Sequence, residues 1–227
     1  MDGVIIMWNS DNGTVMPSLE GHKISITSTV YSPGGCILAS GSTDNTAMLW
    51  KVETGSNVTV LKGQSGWVSS VAFSSDGEIV ATGSHDNTTR LWSSRAGALL
   101  KELSVHQKRV SSAAWRPDSI ISSTASTDDT VSLWNTNTGK MLGILEGHTH
   151  IVSASWCPAG GDFDIVSSSW GNVVTLWNSV RRSPRRELGG QGGKVGCIAW
   201  SPCGRTLFTA SQDGTVRIYN VDTLQGT

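Results

Sequence analysis

The chain is short of charge. Charged residues make up 15% of its 227, and 17 Lys and Arg against 18 Asp and Glu leave a net charge of −1. No global field draws such a chain to nucleic acid or to anionic lipid. No stretch approaches the roughly 18 consecutive apolar residues that a membrane-crossing helix needs. Residues 1–11 carry a short apolar run without a basic flank or room for a signal-peptide core, so they are expected to belong to the fold. The four cysteines, Cys36, Cys157, Cys197 and Cys203, form no CxxC pair and no ligand-like grouping with histidine. Reduced thiols in the cytoplasm or nucleus are therefore expected, with no metal and no cofactor. The Asn-x-Thr triplets at Asn12, Asn57 and Asn87 read as turn chemistry in the absence of a secretory signal. There is no phosphate-cradling glycine loop and no nucleophile constellation that occurs only once, so an enzyme is not expected.

What the chain has instead is a period. Trp8, Trp50, Trp92, Trp134, Trp177 and Tyr219 recur at steps of 42, 42, 42, 43 and 42 residues. A fixed step of this length belongs to stacked supersecondary units, and about 42 residues is one four-stranded propeller blade. Residues 26–31, 68–73, 110–115, 151–156 and 195–200 occupy one slot, where apolar and small residues alternate with period two as in a strand. Turns follow each, such as Ser32-Pro33-Gly34-Gly35 and Ser201-Pro202-Cys203-Gly204, in which proline presets one corner and glycine takes the positive φ. A second strand comes next (37–40, 79–82, 165–167, 207–209), then an Asp-Asn or Asp-Gly turn and a third strand such as 46–50 or 215–219. Fourth strands are expected at 57–61, 98–103 and 140–145. All of these segments are too short and too β-branched for helices, and the fold class is all-β.

Gly21-His22, Gly147-His148, an Asp six residues before the closing Trp, and Leu-Trp or Met-Trp at the strand end resemble the WD-repeat β-propeller family along essentially the whole chain. The aspartate that the family places after the tryptophan is absent throughout: Asn9, Lys51, Ser93, Asn135, Asn178 and Asn220 stand there. The resemblance implies segments at 21–62, 63–104, 105–146 and 147–189, flanked by partial ones at 1–20 and 190–227. It also implies a hydrogen-bonded ladder of loop His, strand Ser or Thr, turn Asp and strand Trp inside each blade. By matching position the ladders are His22, Ser40, Asp44, Trp50 and His106, Thr124, Asp128, Trp134. Gln64 replaces the histidine beside Thr82, Asp86 and Trp92. Gly171 replaces the aspartate beside His148, Ser167 and Trp177, where the spacing from histidine to strand is also one residue short. Gln191, Thr209, Asp213 and Tyr219 form the weakest set, so the last two blades are expected to be looser. The Ser–His–Asp combination imitates a catalytic triad, but it repeats from blade to blade and is completed by a buried indole, which marks it as structural.

Asp2-Gly3-Val4 to Trp8 aligns with Asp213-Gly214-Thr215 to Tyr219, so a third strand stands at both ends. The expectation is a slice of a longer ring, since seven blades at this step need about 294 residues.

In the family, the loops entering first strands and those joining second to third strands form the usual docking rim. The first set of slots holds Ser25, Trp67, Arg109, His150 and Lys194; the second holds Thr43, His85, Thr127, Trp170 and Gln212. Trp67 and Trp170 are the candidate partner contacts, since large aromatics dominate interface energies. His85, Arg109, His150 and Lys194 add a basic, titratable rim suited to acidic peptide or phosphate. The only charge run, Arg181, Arg182, Arg185 and Arg186 around Ser183-Pro184, is expected in a loop between third and fourth strands on the opposite face. It is a candidate contact for phosphate or an acidic partner, or a phosphorylation site at Ser183. The expected function is a non-catalytic scaffold in a multi-subunit assembly, with protein or peptide partners and neither membrane nor small-molecule substrate. The alternative is the RNA-contacting arm of a ribonucleoprotein.

Overall fold

A computed structural model describes residues 3–148, 150–160, 164–221 and 223. Asp2, which the repeat alignment sets opposite Asp213, lies outside the described residues, as do the extreme ends of the first and last segments. The chain divides into two compact units, Met1–Ser104 and Val105–Thr227. Among the described residues there is no helix, and so none long and apolar enough to cross a membrane.

The first unit holds strands β1 (Ile26–Tyr31), β2 (Ile37–Ser42), β3 (Ala47–Lys51) and β4 (Asn57–Leu61), paired in that order as one antiparallel sheet. A second sheet repeats the pattern with β5 (Val68–Phe73), β6 (Ile79–Ser84), β7 (Thr88–Ser93) and β8 (Leu99–Ser104). Ahead of both, residues 3–19 form a ribbon with bridges at Ile5–Leu19 and Trp8–Val15. The second unit holds β9 (Val110–Trp115), β10 (Ile121–Ser126), β11 (Thr130–Asn135) and β12 (Met141–Glu146). It continues with β13 (Ile151–Trp156), β14 (Ile165–Ser169), β15 (Val174–Asn178) and β16 (Ser183–Leu188), and ends with the three-stranded β17 (Val195–Trp200), β18 (Thr206–Ser211) and β19 (Val216–Asn220). Hairpins join every consecutive pair within a sheet, which is why strands of five or six residues suffice.

No one sheet buries its own faces; neighbours do it. In the first unit, Ala39, Ala47, Leu49 and Leu61 of one sheet meet Val68, Val71, Val80 and Trp92 of the next. Met7 and Leu19 of the ribbon cover Leu38, Met48 and Trp50. In the second unit, Leu133 and Leu145 pack with Ile151, Ile165 and Trp177, and Leu176 and Leu188 pack with Val195, Ile198 and Leu207. The inner strands come close enough that a Cβ added at Gly41 would sit 2.7 Å from Val68 Cγ1. Hydroxyls tie sheets together as well: Ser111 donates to Ile151 O at 3.3 Å, and the Trp156 indole donates to Ser123 Oγ at 2.9 Å.

Each sheet is locked by one buried hydroxyl. Trp50 Nε1 donates to Ser40 Oγ at 2.8 Å, and Ser40 Oγ lies 2.7 Å from His22 Nε2. His22 Nδ1 lies 3.0 Å from Asp44 Oδ2. A carboxylate only accepts, so Nδ1 carries the proton, Nε2 accepts from the serine, and the serine accepts from the indole. Trp134, Thr124, His106 and Asp128 repeat this at 2.9, 2.8 and 3.0 Å. Gln64 substitutes for histidine by donating to Thr82 Oγ1 at 2.8 Å, while Trp92 donates to the same oxygen at 2.8 Å. Its free carbonyl is taken up by Arg90 and, at 3.1 Å, by the Thr88 hydroxyl. Gln191 donates to Thr209 Oγ1 at 2.8 Å and to Tyr219 Oη at 2.9 Å.

Trp8, the first ring of the 42-residue step, lies in the ribbon and is 61% exposed. One expectation is corrected. The arginine run is not a loop. Ser183, Pro184, Arg185 and Arg186 belong to strand β16, pairing across β15 with Asn178↔Ser183 and Leu176↔Arg186. Only Arg181 and Arg182 remain in the turn, where Arg182 takes a φ of 55° in the place that Gly55, Gly97 and Gly139 fill in the other sheets. Its side chain lies against Gly143 of β12, where an added Cβ would stand 2.5 Å from Arg182 Cδ.

Ser40→Ala leaves the Trp50 indole and His22 Nε2 buried without partners and is expected to destabilise the protein by about 2–3 kcal/mol in denaturant unfolding.

Candidate functional site

The ten rim positions come together in pairs through one repeated backbone hydrogen bond. Thr43 N donates to Ser25 O at 3.0 Å, His85 N to Trp67 O at 2.8 Å, Thr127 N to Arg109 O at 3.1 Å, Trp170 N to His150 O at 3.0 Å, and Gln212 N to Lys194 O at 2.9 Å. The bond extends the pairing of first and second strands by one step, which is why both loops of a sheet end side by side. Sequence slots mark these positions; the pairing between them appears only in three dimensions.

In the first unit this pairing stacks Trp67 on His85, with ring centroids 5.1 Å apart and planes 32° apart. Trp67 keeps 52% of its surface exposed. In the second unit Trp170 is flanked by His150 at 5.4 Å and 44°, and Lys194 Nζ sits 3.8 Å from the centre of the Trp170 ring. Trp170 remains 42% exposed. A cation over an indole face holds ring and ammonium in place at the surface. Arg109 and His150 are exposed, whereas His85 and Lys194 are half-buried. His150 adopts φ 55° and donates its N–H to Asp129 Oδ1, which absorbs the one-residue shortening of this loop.

The carboxylates behind the rim are held ionised. Burial pushes Asp44 and Asp128 upward, but hydrogen bonds from Thr46 and Thr130 and from the N–H groups of Lys23 and Gln107 outweigh it and leave both below the ordinary value. Asp213 falls to about 2 through the Thr215 hydroxyl and the N–H groups of Gly192 and Thr215. His148 differs. It keeps the ladder bond, with Nε2 2.6 Å from Ser167 Oγ and the Trp177 indole donating to that oxygen at 2.7 Å, although Gly171 supplies no carboxylate. Burial lowers its pKa to about 4, and Asp129 only partly opposes this.

Among the described residues no cluster of three or more His, Cys, Asp or Glu is placed to hold a metal ion. The ladder hydroxyls, Ser40, Thr82, Thr124, Ser167 and Thr209, are buried beneath their rings. All four cysteines are free thiols, and only Cys157 is buried.

Because the folded state holds His148 deprotonated, it binds fewer protons than the unfolded chain below about pH 6.5. Stability is full above that pH and falls as the pH drops toward 4. Unfolding free energies of wild type and His148→Gln, measured from pH 7 to 4.5, are expected to show about 2 kcal/mol less acid destabilisation in the variant.

The sequence matches the family profile described as IFT122 first beta-propeller across residues 1–227. Shorter stretches are similar to coronin-7 of Mus musculus (35% identical over 69 residues, 30% of this chain) and to a WD repeat-containing protein 26 homolog of Arabidopsis thaliana (39% over 59 residues, 26% of this chain). Coronin-7 of Homo sapiens is 36% identical over 55 residues, 24% of this chain. The matched stretches span 7%, 10% and 6% of those relatives' own lengths. Repeated four-stranded sheets, hydroxyl-centred ladders and a match along the full chain give one conclusion: the chain belongs to the WD-repeat β-propeller family, within the group of the IFT122 first beta-propeller.

Proposed function

We propose that this propeller segment is a non-catalytic scaffold that docks protein or peptide partners on its rim loops within a multi-subunit assembly in the cytoplasm or nucleus. WD-repeat propellers are generally non-catalytic interaction modules. The observation that carries the reading is the pair of indoles, Trp67 and Trp170, each anchored by its backbone pairing and set against a histidine ring while about half of its surface stays open. Ordered, half-exposed aromatics of this kind are what interface hot spots are made of, because little side-chain entropy is lost when a partner covers them.

The arginine run lends less to an RNA reading. Two of its four side chains start from a strand, Arg182 lies along Gly143, and among the described residues no aromatic platform for base stacking accompanies them.

The Trp67→Ala/Trp170→Ala double variant is expected to lose more than about tenfold of its captured partners while its Tm stays within about 3 °C of wild type. Retained partners would refute the rim reading. Loss accompanied by a large fall in Tm would make both rings core.

A further inference from the structure

The β13–β16 sheet lacks the aspartate that the four other sheets carry between their second and third strands. In four sheets an aspartate closes the loop between second and third strands. Asp44, Asp86, Asp128 and Asp213 each accept from a backbone N–H just after the ladder His or Gln, at 2.9, 2.8, 2.9 and 2.7 Å. Each also accepts from the hydroxyl of a threonine two residues on, at 2.6, 2.7, 2.6 and 2.6 Å. The corresponding residues here are Gly171 and Val173, so carboxylate and hydroxyl are lost together.

The part of the frame between the second and third strands is kept, while Thr149, the residue after the ladder histidine, lies outside the described residues. Gly171 N donates to Ser169 Oγ at 3.2 Å, as Asp44 N does to Ser42 Oγ at 3.1 Å. Ser169 N donates to Val173 O at 3.2 Å, as Ser42 N does to Thr46 O at 3.1 Å. The His148 ring stands edge-on to Trp177 at 5.6 Å and 67°, as His22 does to Trp50 at 6.2 Å and 62°. With Nε2 on Ser167 and the ring 8% exposed, Nδ1 aims where a carboxylate oxygen sits in the β1–β4 sheet. Among the described residues nothing bonds to that nitrogen. Asp129 is engaged by the His150 N–H and lies 4.0 Å from His150 Nδ1. Trp170, the residue before Gly171, carries the Lys194 ammonium over its ring.

We propose that this end of the β13–β16 sheet binds an acidic side chain of a partner protein, whose carboxylate takes the Gly171 position and accepts from His148 Nδ1. It completes between two chains the ladder that the other sheets complete alone. Lys194 supplies the attraction at the entrance, and Trp170 the apolar wall for the peptide around the acidic residue. A carboxylate is favoured over a phosphate because a carboxylate fills the corresponding position in the four other sheets of this chain. The inference rests on rim docking and names the chemistry of what docks.

The test uses the whole chain at physiological salt and three fluorescent probes: an aspartate hexapeptide, its asparagine counterpart, and a hexameric oligouridylate. The aspartate peptide is expected to bind about tenfold or more tightly than the asparagine one. Gly171→Asp and the neutral Gly171→Asn both fill the position and are expected to weaken it about tenfold, with Tm unchanged or raised by about 2–4 °C. The His148 Nδ1 resonance is expected to shift with the aspartate peptide only. Equal binding of the two peptides, no binding of the aspartate peptide, or an affinity indifferent to Gly171→Asn overturns the proposal. Preferential, Gly171-dependent binding of the oligouridylate overturns it in favour of phosphate. The scaffold reading fails separately, through retained partners in the Trp67/Trp170 variant.

Discussion

A single buried hydroxyl per sheet joins the two ends of the structure: the core, through an indole N–H, and the loop that carries the rim, through a histidine or glutamine nitrogen. Remove the hydroxyl and two buried polar groups lose their partners at once, in a place where water cannot replace them. The indole lies ten residues after the hydroxyl in all four sheets that have one. That spacing is kept even where the step between sheets lengthens to 43 residues, since a one-residue slip would turn the hydroxyl to the opposite face of its strand. It also explains why loops of varied sequence keep one geometry. Their position is set from below.

The variants of this lock follow charge and hydrogen-bond logic. Glutamine cannot present the same donor to an aspartate as histidine does, and its carbonyl oxygen needs a donor of its own. Arg90 meets that need beside Gln64, between Asp86 and Glu102. Arg217 stands at the same place in β19, but its guanidinium reaches Gly190 O and lies 4.0 Å from Asp213, and the Gln191 carbonyl oxygen is left buried without a partner. The sheets with histidine carry Met48, Ser132 and Thr175 at that position. Glutamine and arginine therefore go together, and the last sheet joins them less completely.

Much of this was legible in the chain because hydrophobic alternation, turn residues and the tryptophan step point to one register. The arginine run reads as a loop in sequence because third-to-fourth connections elsewhere close on glycine, whereas Arg182 takes that glycine's φ without any outward sign in the sequence. The step includes Trp8 as well, although that ring is exposed in the ribbon, because a step marks a position and not its burial. On the rim, the slots were readable and their contents obvious. The pairing of Trp67 with His85, and of Trp170 with His150 and Lys194, depends on a backbone hydrogen bond between loops about twenty residues apart, which leaves no trace in either loop alone.

The rim is thus an outcome of the lock beneath it, and proton exchange at the indoles reads that lock directly. Two-dimensional NMR of Nε1–H exchange should show Trp50, Trp92, Trp134 and Trp177 protected by at least about a hundredfold over Trp8, Trp67 and Trp170. Equal, fast exchange at all seven would contradict the account, because the buried hydroxyls would then hold nothing in place.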